Sequence, residues 1–111
     1  MVNNVESLAN VTVVLRDGAA AFRAVGTEKS PGTRLISVSG HVNRPGVYEV
    51  ELGFPWRRFI DEDCGGILGG RAIKAIVPGG ISSKVLTGAD IEPLALSHEA
   101  LWDVNSTLGS G

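Results

Sequence analysis

The sequence predicts an α+β fold: a small mixed sheet packed on one helix, with further helices flanking it at the N- and C-termini. Three observations carry this. The first is the run Ser37-Val38-Ser39-Gly40-His41-Val42-Asn43-Arg44-Pro45-Gly46-Val47-Tyr48-Glu49-Val50, which reads as a hairpin. The second is an amphipathic stretch opened by Pro55 and stopped by Gly65-Gly66. The third is a pair of strand-like segments beyond it, Arg71 to Val77 and Lys84 to Thr87. Strand, strand, helix, strand, strand within about sixty residues is the order of a β-grasp, or ubiquitin-like, fold, whose sheet wraps one face around a single helix.

Each element has a local reason. Asn3 stands where it can cap a first helix, with Glu6 three positions on in capping-box spacing. Leu8, Val11 and Leu15 then share one helical face. The β-branched cluster Val11-Thr12-Val13-Val14 opposes the helix, because such side chains lose rotamer freedom there. Asp17-Gly18 interrupts, and Ala19 to Ala24 restarts a shorter helix that Gly26 can end. Thr27-Glu28-Lys29-Ser30-Pro31-Gly32 is a polar linker with a Pro-Gly turn signal, and it marks the expected domain boundary.

In the hairpin, Ile36, Val38 and Val42 alternate with Ser37, Ser39 and His41, the period of two of a half-buried strand. Asn43-Arg44-Pro45-Gly46 supplies the turn, with Gly46 free to take a positive φ. Tyr48, Val50 and Leu52 then face one way, and Val47, Glu49 and Glu51 the other. In the helix after Pro55, Trp56, Phe59, Ile60 and Cys64 form the apolar stripe, while Arg57, Arg58, Asp61, Glu62 and Asp63 face water. Ser97 to Asn105 reads as a last helix, capped by Ser97 with Leu101 and Val104 inward.

Composition bounds the function. The chain has 111 residues, 43% of them hydrophobic, enough for one modest core. Ten basic and twelve acidic residues leave a net charge of −2 without a basic block, which excludes a nucleic-acid footprint. The apolar runs are too short to span a bilayer. Met1-Val2-Asn3-Asn4 has neither the charge nor the apolar run of an export signal, so a cytosolic setting is the expectation. The single cysteine, Cys64, excludes an intrachain disulfide and a four-cysteine metal site within this chain.

Few residues offer chemistry. His41, beside the hairpin turn, and His98, in a first helical turn, lack ligand-like spacing and are expected to face solvent. Cys64 reads as a small apolar filler, since the preceding Asp61-Glu62-Asp63 disfavours a thiolate. Those three acids are consecutive, so they do not share a helical face and read as a solvated helix end. The glycine runs Gly65-Gly66-Ile67-Leu68-Gly69-Gly70 and Pro78-Gly79-Gly80 read as tight corners, with an anion nest as the alternative. Asn3, Asn4 and Ser7 stand apart: two adjacent amides and a hydroxyl at a helix start offer donors and acceptors to a planar heterocycle or a phosphate. Capping explains one amide without the other.

Several segments together resemble one family. They are Val2-Asn3-Asn4-Val5-Glu6-Ser7-Leu8-Ala9-Asn10-Val11, Gly26-Thr27-Glu28-Lys29-Ser30-Pro31-Gly32-Thr33, the hairpin, Gly69-Gly70-Arg71-Ala72-Ile73-Lys74-Ala75-Ile76-Val77-Pro78-Gly79-Gly80, and Ser106-Thr107-Leu108-Gly109-Ser110-Gly111. Across nearly its whole length the chain is similar to the NADH-binding flavoprotein (F) subunit of respiratory NADH:quinone oxidoreductase, complex I. The resemblance implies three parts. Residues 1–30 form the helical C-terminal end of a flavin-binding domain. Residues 31–88 form a soluble-ligand-binding β-grasp (SLBB) domain, and residues 89–111 a helix leading toward an iron–sulfur domain.

The same resemblance places Asn3, Asn4 and Ser7 against FMN, with Ser7 where the family generally has threonine. The hydroxyl is kept. Ile81 replaces a serine usual after Pro-Gly-Gly, and Lys84 to Leu96 diverges, so no ligand role passes to that loop. The parent so implied passes a hydride from NADH to FMN and electrons on to iron–sulfur clusters, including a [4Fe–4S] centre, as a peripheral component on the cytoplasmic side of a membrane. Its partners are other domains of the same polypeptide and neighbouring soluble subunits. The chain is then expected to be an excised piece with Met1 as an added start, holding no cofactor and inactive alone. The diaphorase subunit of an NAD-reducing hydrogenase or of an NAD-dependent formate dehydrogenase shares these segments. A stand-alone module whose β-grasp face binds a soluble ligand is the alternative of another class.

Overall fold

The computed structural model describes residues 2–109. Met1, and the Ser110-Gly111 end of the last matching segment, lie outside the described residues. Helix α1 runs Val5–Asp17 and α2 Ala19–Arg23, parted at Gly18. Strands β1 (Thr33–Val38) and β2 (Gly46–Glu51) follow, then a helical segment built from α3 (Trp56–Arg58) and a π-helical turn, Phe59–Asp63. Short strands β3 (Ala75–Ile76) and β4 (Leu86–Thr87) precede α4 (Gly88–Ile91) and α5 (His98–Asp103). This is the expected β-grasp order, with flanking helices.

β1 and β2 pair antiparallel with Ile36 opposite Tyr48 and Arg34 opposite Val50, which turns Val50 and Leu52 into the core and leaves Val47 exposed. The ladder ends at Val38, short of the predicted Val42. Gly40, with φ at +97°, bends the chain there, whereas Gly46 opens β2 with no positive φ. The positive-φ glycine is thus Gly40, not the expected Gly46. Beyond the bend the chain leaves β2 and docks on the end of the central helix. Val42 bridges Ile67, Asn43 N–H donates to Gly66 C=O at 3.0 Å, and Arg44 N–H to Cys64 C=O at 2.9 Å.

The predicted stripe is the core. Trp56, Phe59, Ile60 and Cys64 are all buried, with Tyr48 and Trp56 edge-on to Phe59 at centroid distances of 5.5 and 6.2 Å. The π turn, closed by Cys64 N–H on Phe59 C=O at 3.1 Å, helps this. Residues five apart diverge on an α-helix, whereas the wider turn brings Phe59 and Cys64 toward one face. Arg57–Asp61 and Arg58–Glu62 pair at i,i+4 on the wet side, at 2.6 and 2.9 Å. Such exposed pairs add little stability.

The third and fourth strands keep only two residues each of the stretches predicted for them. β3 pairs antiparallel with β4, and β1 with β2, so the strand hydrogen bonds fall into two two-stranded ladders with a gap between β1 and β3. A strap from Leu94 to Leu96 closes the base: Trp56 N–H donates to Leu94 C=O at 3.0 Å and Leu96 N–H to Phe54 C=O at 2.8 Å. α4 falls outside the elements expected from the sequence. Its signal is the capping box Thr87-x-x-Asp90, in which Thr87 Oγ1 and Asp90 exchange bonds with each other's backbone. Ser97 caps α5 as expected, accepting from Ala100 N–H.

Candidate functional site

The three predicted site residues stand at the start of α1: Asn3 before it, Asn4 at its cap and Ser7 in its first turn. The cap is Asn4, whose Oδ1 accepts from Glu6 N–H at 2.8 Å, and not Asn3. The expected cap is Asn3; the helix begins at Val5, so backbone geometry gives that role to Asn4 instead. Glu6 does not complete a capping box either. Its Oε1 reaches across to accept from Leu35 N–H on β1 at 2.7 Å. Asn3 and Ser7 are exposed, and Ser7 borders a shallow hollow with Val11, Val14 and Phe22. The β-branched cluster stays helical, with Thr12 Oγ1 donating to Ala9 C=O.

Among the described residues nothing covers the predicted apolar face of α1. Val5, Leu8, Val11 and Leu15 are each at least half exposed, and no residue of α1 is buried. A thirteen-residue helix is marginal by itself in water, so this face needs a partner surface.

The other candidates are placed as follows. Burial first, then Asp63, pushes the Cys64 thiol up to about 11 against the weaker pull of Arg44, so it is an inert core atom. Among the described residues no group of three or more His, Cys, Asp or Glu is placed to hold a metal ion. No described helix is long and apolar enough to cross a membrane. His41 is exposed as expected.

His98 is not solvent-facing. It is half-buried, with Nε2 3.1 Å from Arg34 Nη1. Arg34 has only donors, so Nε2 accepts and the proton sits on Nδ1. Burial first and the Arg34 charge second push the imidazole down, keeping it neutral.

The glycine corner Pro78-Gly79-Gly80 packs on the C-terminal segment: a Cβ on Gly79 would meet main-chain atoms of Thr107, Leu108 and Gly109. Close backbone approach therefore accounts for Gly79.

The linker is also held. Thr27 Oγ1 and Ser30 Oγ donate to the two oxygens of Glu99 on α5, at 2.6 and 2.5 Å. Burial pushes this carboxyl up, but the bonds from Ser30 and Thr27, with others from its own N–H and Ser97, outweigh it and hold the group at about 2. A folded value below the ordinary 4.5 gives stability present above that pH and lost as pH falls toward 2. Thermal melts between about pH 7 and pH 2 should show this acid-side loss, and Glu99→Gln should flatten it while lowering stability at neutral pH. Equal pH profiles for the two proteins would remove Glu99 from this role.

A groove of about 700 Å3 lies between the two strand pairs, floored by Trp56, Phe59 and Ile60. No sequence pattern signals it, since it arises from the gap between β1 and β3. The Trp56 indole Nε1 is buried with no acceptor among the described residues, an uncommon state for a buried tryptophan.

A β-grasp core preceded by a helix with a polar start and an exposed apolar face defines the class of this module. Residues 34–106 match the SLBB domain model, and the chain belongs to the SLBB-domain family. It is similar along almost all its length to the second F subunit of NADH-quinone oxidoreductase from Rhizobium meliloti, 40% identical over 110 residues, covering 99% of this chain and 26% of that protein. The corresponding F subunit of Mycobacterium bovis is 41% identical over 110 residues, covering 99% of this chain and 24% of that one. Among solved structures, an NAD+-reducing [NiFe]-hydrogenase in the air-oxidized state superposes with a TM-score of 0.79 at 35% identity, over 90% of this chain and 17% of that chain. The chain thus spans about a quarter of the length of the curated relatives it matches.

Proposed function

We propose that this chain is the β-grasp part of an NADH-oxidising flavoprotein, a docking module that contributes one edge of an FMN site and carries out no redox step itself. One observation supports this above the rest. The likeness to the F subunits of NADH-quinone oxidoreductase reaches past residues 34–106 to cover 99% of the chain, α1 included. The uncovered face of α1 then packs on the flavin-binding domain, and residues 89–111 lead toward the iron–sulfur domain. Asn3 and Ser7 offer free polar groups to the flavin, and Asn4 offers its amide N–H groups, its oxygen being held by the cap. When bound, FMN supplies the hydride-accepting chemistry, and these side chains bind and orient it. Cys64, buried and fully protonated, does not suit a [4Fe–4S] cluster, whose ligands belong to other parts of the parent polypeptide. The partners are the remaining domains and neighbouring soluble subunits of a module peripheral to the membrane on its cytoplasmic side. The superposition on the hydrogenase favours a second reading, the diaphorase part of an NAD-reducing hydrogenase.

FMN fluorescence titration tests the proposal. The 111-residue chain alone should show no saturable micromolar binding. A polypeptide extended at both ends to the length of its relatives should bind, and Asn3→Ala with Ser7→Ala should weaken it. Micromolar binding by the short chain would refute the reading that it supplies only one edge of the site.

A further inference from the structure

The groove between the hairpins is bordered by two strand edges. β1 uses its other edge for β2, and β3 uses its other edge for β4. Leu35 N–H turns away from β2 to reach Glu6, and the alternation of an antiparallel strand turns the Ser37 main chain the same way. Across the groove, Lys74 C=O accepts from Gly88 N–H at 3.3 Å, so Lys74 faces β4 and Ala75 faces the groove. The β1 edge is closed at both ends, by the Glu6 carboxylate at Leu35 and by Leu68 N–H on His41 C=O at 3.0 Å. Between these stops no main-chain group of the β1 edge has a hydrogen-bond partner among the described residues. The residues lining the groove include His41, Arg71 and Lys74 and no carboxylate.

We propose that this groove takes an extended acidic segment of a separate polypeptide as an added strand between β1 and β3. Unpaired main-chain groups on both sides give such a segment ladder hydrogen bonds, the mode of recognition by strand addition. The partly buried Ile36, Val38 and Ile76 on its walls receive every second side chain, and Arg71 and Lys74 receive the acidic ones between them. The volume lies within the ordinary range of binding pockets, about 300–1,000 Å3. Strand addition joins the two ladders into one sheet.

The 111-residue chain carrying Trp102→Phe keeps Trp56 as its single tryptophan. Its fluorescence is followed against an N-acetylated, C-amidated peptide of alternating valine and glutamate, about six residues long. Saturable binding is expected, with exchange of the Ser37 and Ala75 amides slowed at saturation. Methylating alternate peptide amides, or replacing glutamate by lysine, should each weaken binding at least about tenfold, as should Lys74→Glu. Ser37→Pro tests the edge from the protein side, and the methylated peptide covers the case in which that variant fails to fold. The proposal fails if the three peptides titrate alike, or if none binds up to about millimolar concentration. It fails equally if succinate displaces the peptide without the lysine peptide being disfavoured, which marks a small-anion site. Ser37 and Ala75 amides already protected in the free protein would show β1 paired directly with β3, and would also overturn it.

Discussion

Phe59→Ala is expected to lower the unfolding free energy by about 3–5 kcal/mol. Phe59 is fully buried, and both rings that touch it, Tyr48 from β2 and Trp56 from the same helical segment, meet it edge-on. Truncation removes the apolar contact between helix and sheet and leaves a cavity that neighbours on two separate elements cannot jointly fill. The backbone bond from Cys64 N–H to Phe59 C=O is untouched, so the loss reads packing rather than the π turn. Since small domains hold only about 5–15 kcal/mol in total, the variant should melt far below the parent protein. Urea unfolding followed by circular dichroism gives the value. A loss below about 1 kcal/mol would mean that the sheet does not rest on this helix.

Gly79→Ala should cost about 2–3 kcal/mol, and the cause lies in the C-terminal segment rather than in the loop. The glycine has φ of −129°, which any residue can adopt, so the substitution brings no backbone strain of its own. The new methyl would instead overlap the Gly109 nitrogen and Thr107 oxygen and stand 2.6 Å from the Leu108 carbonyl carbon. Main chain has no rotamer by which to withdraw, so residues 107–109 must lift and take the buried Leu108 out of the core. Hydrogen exchange should speed at Gly109 and Leu108 while the β1–β2 amides stay protected. Uniform acceleration across the chain would assign the loss to global unfolding instead.

The elements legible in the sequence are those whose signal is periodic and local. The alternation from Ile36 to Leu52 locates the hairpin, and the spacing of Trp56, Phe59, Ile60 and Cys64 locates the core helix, because both patterns follow from backbone geometry. Ser97 is legible as a cap for the same reason. Short strands are overextended: Arg71 to Val77 reads as a strand, yet only Ala75 and Ile76 find a partner. Pairing depends on a distant neighbour and has no local mark. The strap from Leu94 to Leu96 and the clamp of Thr27 and Ser30 on Glu99 join residues far apart in the chain, and nothing at either end announces the other.

The candidate site divides in the same way. Asn3, Asn4 and Ser7 stand out from composition and position, but which amide caps α1 depends on the helix start, and Glu6 is diverted to Leu35 by a strand that sequence spacing does not bring near. The groove is invisible in the sequence because its two walls, at Ser37 and Ala75, belong to strands separated by the whole central helix.

Sequence alone settled the fold class, the burial of the Trp56–Cys64 stripe and the apolar character of α1, since side-chain periodicity follows the backbone repeat of each element. Tertiary structure decided what those surfaces meet: the α1 stripe is left uncovered, β1 and β3 stand apart with a groove between them, and Gly79 is reserved for the C-terminal segment. The physical reason is that an element's shape is set by interactions within a few residues, whereas its partner is set by packing among distant ones.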